Sequence, residues 1–299
     1  MKRIIALAVV LLVAAGAIYL AQHRERHDAV SANAVVDMAA DWQSDLTRVP
    51  MRLTRISDEQ EVRIGNEIAR QYVSAEPAFT SQEQSTERYV NQVGAHVAAN
   101  ARRKLDFHFH LIPDRDLINA FALPGGHVFI GQGLLDRMES EDELAYVFGH
   151  EIEHIDHYHS VERIQIEAQL HKLNLDVVAE ITQFPISLWE AGYSKEQEFE
   201  ADREGLRISV QAGYSAQGSL DLLAKLAQLD RTLVLHADTP TEELSQVAID
   251  GLEGYFRTHP LPAERIERAN EVIAEDLLPV NRPLSPIKIE HKLKDEATQ

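Results

Sequence analysis

Apolar positions along much of the chain recur at the spacing of amphipathic helices. Residues 57–72 and 81–101 place apolar side chains three and four positions apart among charged ones, which predicts two surface helices. Most of residues 133–277 reads as helix. Ser140 and Ser194 are each followed three residues later by Glu or Gln, a pattern that marks helix starts. The pattern therefore predicts a mainly helical protein.

A few short segments have the pattern of strands instead. Apolar and polar residues alternate over residues 105–111, which is the period of a half-buried strand. A second pair of strands is predicted at residues 119–123 and 127–130, with Pro124-Gly125-Gly126 as the turn between them. The expected fold class is therefore α+β, mainly helical, with a small β-sheet.

An uncharged apolar segment, residues 4–21, follows Lys2 and Arg3 at the N-terminus. Its length fits a membrane-spanning helix, while Ala15-Gly16-Ala17 fits the cleavage site of a signal peptide, and both interpretations stay open. Either way, the basic residues favour export of the rest of the chain. The expected domains are a signal peptide or signal anchor at 1–21, a spacer at 22–50, a folded domain at 51–277 and a loose C-terminal tail at 278–299.

Composition excludes several classes of function. The 299 residues include 48 acidic and 29 basic ones, giving a net charge of −19, which disfavours binding to nucleic acid. The chain has no cysteine, so disulfides, a thiol nucleophile and cysteine-ligated metal sites are excluded. An exported protein remains compatible with both observations.

A metal-binding pattern lies on the helix that starts after Ser140. The segment His150-Glu151-Ile152-Glu153-His154 places two imidazoles four residues apart, on one helix face, where they can bind one ion. Zinc is the expected ion, and Glu151 would reach a water molecule bound to it. The alternative is a solvated, charged helix. On a continuous helix His157 lies near the metal face, whereas His159 points to the opposite side.

The third ligand has to come from another element. Glu198 and Asp202 lie four residues apart on the helix that follows Ser194, so they share a face. One of them can bind the metal while the other accepts the outer N–H of a ligand imidazole. An acidic surface helix without a metal is the alternative for this pair.

Several motifs in order resemble one peptidase family. They are the segment HEIEH, the later YSKEQEFEADREG, Arg257-Thr258-His259-Pro260 with Arg265, and residues 119–126 followed by Gly133-Leu134-Leu135. Together, over residues 51–277, they resemble the HtpX-, BepA- and CAAX-prenyl-protease-type zinc endopeptidases, metallopeptidase family forty-eight. The resemblance implies a zincin-like (gluzincin) fold with its small sheet next to the zinc helix.

The resemblance also implies roles for individual residues. His150, His154 and Glu198 would be the ligands of one Zn²⁺ per chain, Glu151 the catalytic glutamate, and Asp202 the support of a ligand. His259 is a candidate donor to the developing oxyanion, with packing or control of zinc access as alternatives. Residues Asn119, Ala120, Phe121 and Ala122 are expected to form an exposed edge strand that pairs with an extended substrate, or else an internal strand.

The implied function is protein quality control in the cell envelope. The expected substrates are unfolded or misassembled exported polypeptides, and the expected location is the periplasm, soluble or tethered to the inner membrane by residues 4–21. Two departures from the family suggest a single exported peptidase domain: one apolar segment instead of several, and too few residues after 277 for a helical repeat domain. The alternatives are a zinc-binding, proteolytically silent chaperone or adaptor, and a metal-free helical interaction protein. A loop within 229–254 is a candidate cover for the site.

Overall fold

A computed structural model describes residues 56–75, 78–171, 193–236, 259 and 262–289. The expected export segment, the spacer and most of the loop at 229–254 lie outside these residues. In the described ranges, no helix combines the length and apolar character needed to cross a membrane.

Helices make up most of the described chain, as the sequence pattern predicts. Eight are described: α1 (Asp58–Ala75), α2 (Ser81–Ala98), α3 (Gln132–Leu135), α4 (Glu141–Asp156), α5 (His159–His171), α6 (Lys195–Gln211), α7 (Gln217–His236) and α8 (Pro262–Glu275). Both predicted helix starts are confirmed. Ser140 accepts a hydrogen bond from the Glu143 N–H at the start of α4, and Ser194 with Gln197 forms a complete capping box at the start of α6.

The strands form one small sheet in the order β1-β3-β2, comprising β1 (His108–Ile112), β2 (Ala120–Leu123) and β3 (His127–Gly131). Strands β2 and β3 are antiparallel, and the turn at Pro124–Gly126 joins them as predicted. Gly125 has φ of +76°, a left-handed conformation that glycine adopts without steric cost. Strand β1 pairs with β3 in parallel. The α+β, mainly helical fold class is therefore confirmed.

Helix α4 is the central element of the fold. All of its residues from Asp142 to Asp156 are buried, because α2, α6, α7 and β2 pack around it. Its apolar side chains, among them Leu144, Phe148 and Ile152, belong to the main core cluster. The histidine motif thus lies on a buried helix and not on a solvated one.

Helices α4 and α6 cross in direct backbone contact. A Cβ atom added to Gly149 would lie 2.3 Å from the carbonyl oxygen of Gly205, and one added to Gly205 would lie 2.5 Å from the His150 nitrogen. Only glycine allows two helix backbones to approach so closely. This crossing brings the face of α4 that carries the histidines against the acidic face of α6.

Residues 278–289 pack against the start of α4. The carbonyl of Ser285 accepts the Glu141 N–H at 2.7 Å, and the Asp142 carboxylate accepts the Ser285 N–H at 2.7 Å. Ile287 and Ile289 are buried in the core. The expectation of a loose tail is therefore wrong for these residues, because they satisfy a free N–H at the helix start and bury apolar side chains. Residues 290–299 lie outside the described part.

Candidate metal centre

Three side chains from two helices converge at the crossing of α4 and α6. His150 Nε2 and His154 Nε2 lie 3.1 Å apart. The two oxygens of Glu198 lie 3.5 Å from these nitrogens, one from each. All three side chains are buried. The structure thus brings together the three residues that the sequence predicts as metal ligands.

The distances between these atoms fit a bound zinc ion. Zinc–ligand bonds of about 2.0–2.1 Å in a tetrahedron place neighbouring ligand atoms about 3.3–3.4 Å apart. Glu198 Oε1 is buried and accepts no hydrogen bond within the described part of the chain, which is costly for a carboxylate without a cation. Two imidazoles and one carboxylate are also a ligand set of catalytic zinc sites. The donor set therefore fits the metal.

Asp202 holds His150 from the outer side. Its Oδ1 accepts hydrogen bonds from His150 Nδ1 at 2.9 Å and from the Tyr146 hydroxyl at 2.8 Å. Arg265 donates to both oxygens, at 2.8 and 2.6 Å. Burial acts to raise the pKa of Asp202, but the Arg265 charge and the His150 hydrogen bond outweigh it and hold this pKa well below its usual range. Asp202 is therefore an ionised acceptor for the His150 ring, in the position that the resemblance implies, and its support of a bound metal stays a prediction.

His159 occupies the corresponding position behind His154. The Nδ1 atoms of the two rings are 2.9 Å apart, and His159 Nε2 faces Glu200 at 3.5 Å. The prediction that His159 points away is wrong, because it assumed a continuous helix. Helix α4 ends at Asp156, and Tyr158, with φ of +63°, turns the chain so that His159 starts α5 beside the metal ligands.

The third ligand has an outer partner as well. His259 Nδ1 lies 2.6 Å from Glu198 Oε2, and its ring centre is 5.4 Å from that of His150. The structure thus places His259 at the site, although its role as a donor to an oxyanion stays a prediction. Each expected metal ligand is now in contact with one further polar side chain that can fix its orientation.

Glu151 borders a small cavity beside the ligands. The cavity has a volume of about 20 Å³, and its lining includes Ala120, His150, Glu151 and His259. This volume accommodates about one water molecule. Burial raises the pKa of the Glu151 carboxyl to about 7. The site therefore combines a carboxyl group with space for one small reactant.

Tyr193, the first residue of the motif YSKEQEFEADREG, covers the site from the side of the sheet, a position that the spacing of residues does not predict. Its ring stacks on His154 with centres 3.8 Å apart, and its hydroxyl donates to the Ala122 carbonyl at 3.5 Å. Strand β2 lies at an edge of the sheet, but Asn119, Ala120, Phe121 and Ala122 are all buried. The edge position is therefore as expected but the exposure is not, because neighbouring side chains cover the strand; its pairing with a substrate stays a prediction.

The sequence of the chain is similar to those of known peptidases. The model of "Peptidase family M48" matches residues 84–273. The beta-barrel assembly-enhancing proteases of Yersinia pestis and Escherichia coli K12 are 28% and 27% identical to the chain, over 73% of this chain and 45% of each relative. The mitochondrial metalloendopeptidase OMA1 of Schizosaccharomyces pombe is 28% identical over 64% of this chain and 54% of its own length. The chain thus spans about half the length of these relatives. Since the family model covers more than half of the chain, the protein belongs to peptidase family M48, whose members are metallopeptidases.

Proposed function

We propose that the protein is a zinc-dependent endopeptidase that cleaves unfolded or misassembled exported polypeptides. The observation that carries this proposal is the convergence of His150, His154 and Glu198, with ligand atoms 3.1–3.5 Å apart, beside the cavity at Glu151. His150, His154 and Glu198 would hold one zinc ion per chain.

The residues around the site take separate roles in this proposal. A bound zinc ion supplies Lewis acidity, which lowers the pKa of water and polarises the scissile carbonyl. Glu151 accepts a proton from the attacking water and delivers it to the leaving amine nitrogen. Asp202 fixes the His150 ring so that Nε2 presents its lone pair to the metal. His259, as a doubly protonated imidazolium, donates from Nδ1 to Glu198 and from Nε2 to the oxygen of the carbonyl under attack.

The proposed substrates follow from the sheet edge and from the relatives. Once Tyr193 is displaced, the main chain of β2 can pair with an extended polypeptide, which gives affinity with little side-chain specificity. The bacterial relatives are named as beta-barrel assembly-enhancing proteases, which supports substrates among exported proteins. The net charge of −19 disfavours strongly acidic substrates. We place the protein in the periplasm, soluble or tethered by residues 4–21.

Cleavage of unfolded casein by the full-length chain tests the proposal. We expect Glu151→Gln to abolish cleavage while the bound zinc is retained, and chelation to abolish it until zinc is restored. Glu267→Gln is the matched control, because Glu267 is an exposed glutamate on α8, outside the site. Cleavage by Glu151→Gln at the wild-type rate would contradict the proposal. Unchanged cleavage by zinc-loaded His259→Ala would remove His259 from the reaction.

A zinc-binding but proteolytically silent chaperone is the second candidate. The observation that favours it is the burial of the described site, whose cavity of about 20 Å³ is too small for a peptide. The same casein experiment separates the two candidates. A wild-type chain that binds one zinc ion, cleaves nothing and prevents aggregation of unfolded casein equally well with Glu151→Gln would be a chaperone.

A further inference from the structure

A second cluster of metal-binding side chains lies one turn from the candidate metal centre. His157, His159 and Glu200 each offer one ligand atom, and these atoms all lie within 4.8 Å of one another. His157 Nδ1 is 3.3 Å from one oxygen of Glu200, and His159 Nε2 is 3.5 Å from the other. The mechanism proposed above uses neither His157 nor Glu200.

The surroundings of this cluster suit a cation that arrives from solvent. The cluster opens into a groove of about 650 Å³, where five further glutamates outnumber one lysine and two arginines among the lining residues. Glu153 Oε2 lies 3.2 Å from His157 Nε2, and the Arg102 guanidinium, which pairs with Glu153, contacts the same nitrogen. Because a guanidinium only donates hydrogen bonds, His157 Nε2 accepts one and Nδ1, which faces Glu200, carries the ring proton. A metal bound at Nδ1 replaces this proton, which is released to solvent.

We propose that His157, His159 and Glu200 form a second site for a divalent transition metal of the zinc class, whose occupation weakens zinc binding at the first site. Two imidazole nitrogens and one carboxylate oxygen select such ions over Mg²⁺ or Ca²⁺. Glu200 is half exposed, so water can complete the coordination. The second site is weaker than the first because its ligands are more exposed.

The coupling follows from the hydrogen bond between His154 and His159, and it rests on the function proposed above. When His154 binds the first metal through Nε2, its Nδ1 carries the proton and donates to His159 Nδ1. The neutral His159 ring then carries its own proton on Nε2, which is the atom that the second metal needs. Binding of the second metal moves this proton to Nδ1, where two donors face each other at 2.9 Å. The two ions therefore oppose each other.

Titration of the metal-free full-length chain with Zn²⁺, followed calorimetrically and by elemental analysis after dialysis, tests this inference. We expect two ions per chain, the second bound at least about tenfold more weakly. His157→Ala and Glu200→Gln should each leave one ion. His108→Ala is the matched control and should still bind two, because His108 lies on β1, away from the cluster. In His150→Ala, which lacks the first site, the second site should bind zinc about tenfold more tightly.

The outcomes separate this inference from the proposed function. One ion in the wild type, lost in His150→Ala, would overturn the second site and leave the proposed function intact. Two ions in both His157→Ala and Glu200→Gln would also overturn it. An unchanged affinity of the remaining site in His150→Ala would overturn the coupling. A wild-type chain that binds no zinc would instead contradict the proposed function.

Discussion

Replacement of Asp202 by asparagine tests the support behind the metal centre. The Asp202 carboxylate accepts four hydrogen bonds, from Tyr146, His150 and, twice, Arg265. Asparagine has nearly the same volume but replaces one acceptor oxygen with an NH₂ donor. Because Arg265 donates to both oxygens, that NH₂ meets an Arg265 donor in either orientation, and the guanidinium also loses its buried counter-charge.

The magnitude of the effect follows from the burial of this pair. The side chains of Arg265 and Asp202 are 2% and 4% exposed, so solvent screens neither charge. Removal of one partner of a buried ion pair costs about 3–5 kcal/mol, a large part of the roughly 5–15 kcal/mol that stabilises a typical domain. Loss of a partner behind a ligand histidine also weakens metal binding by about 10–100-fold. We therefore expect Asp202→Asn to lower both stability and zinc affinity.

Urea denaturation of the zinc-free chain measures the first effect, and competition with a chromophoric chelator measures the second. Asp276→Asn is the matched control, because Asp276 pairs with Arg207 at a partly exposed position far from the metal centre. Such pairs contribute less than about 1 kcal/mol. If Asp202→Asn unfolds at the same urea concentration as Asp276→Asn and binds zinc like the wild type, the reasoning is refuted.

Two further predictions concern the helix crossing and a buried carboxyl group. Gly205→Ala places a Cβ 2.5 Å from the His150 nitrogen, so helices α4 and α6 must separate. We expect the free energy of unfolding, measured by urea denaturation, to fall by about 1–3 kcal/mol. Zinc affinity, measured by chelator competition, should fall by more than tenfold. Gly94→Ala, whose Cβ meets the Phe109 ring instead, should lower stability alone, and equal zinc loss in both would contradict the prediction. Burial raises the pKa of Glu87 to about 7, so the folded chain favours the protonated carboxyl. Protonation of Glu87 therefore stabilises the folded chain, fully below about pH 4.5, and this contribution is lost as the pH rises through 7. Glu87→Gln keeps an acceptor for the Leu111 N–H. It should raise the free energy of unfolding by about 1–3 kcal/mol at pH 8 but not at pH 4. An equal gain at both pH values would show that the effect does not come from the ionisation of Glu87.

Local signals in the sequence predict much of the fold and the ligand cluster. The spacing of His150 and His154 and the helix starts at Ser140 and Ser194 depend on contacts within one helical turn, so they can be predicted without the tertiary structure. The hairpin around Pro124–Gly126 is predicted for the same reason.

The features that the sequence does not predict depend on long-range contacts or on one unusual backbone conformation. His159 reaches His154 only because Tyr158 adopts a positive φ, which tyrosine rarely does. Tyr193 stacks on a residue 39 positions before it, and no spacing rule connects the two. Ile287 and Ile289 are buried by elements far away in the chain. The mixed charges of the neighbouring residues in the sequence therefore predict a loose tail, although both side chains lie in the core.

The contact between Gly149 and Gly205 has a consequence for the metal-free protein. Since the two helices meet through their backbones, folding alone sets the spacing between the histidine face of α4 and Glu198 on α6. The ligands are thus preorganised, and metal binding does not have to drive folding as it does in a zinc finger. The protein should keep its helical circular dichroism when zinc is stripped and regain the ion without refolding. Exchange of one divalent ion for another then becomes a reversible reaction of a folded protein.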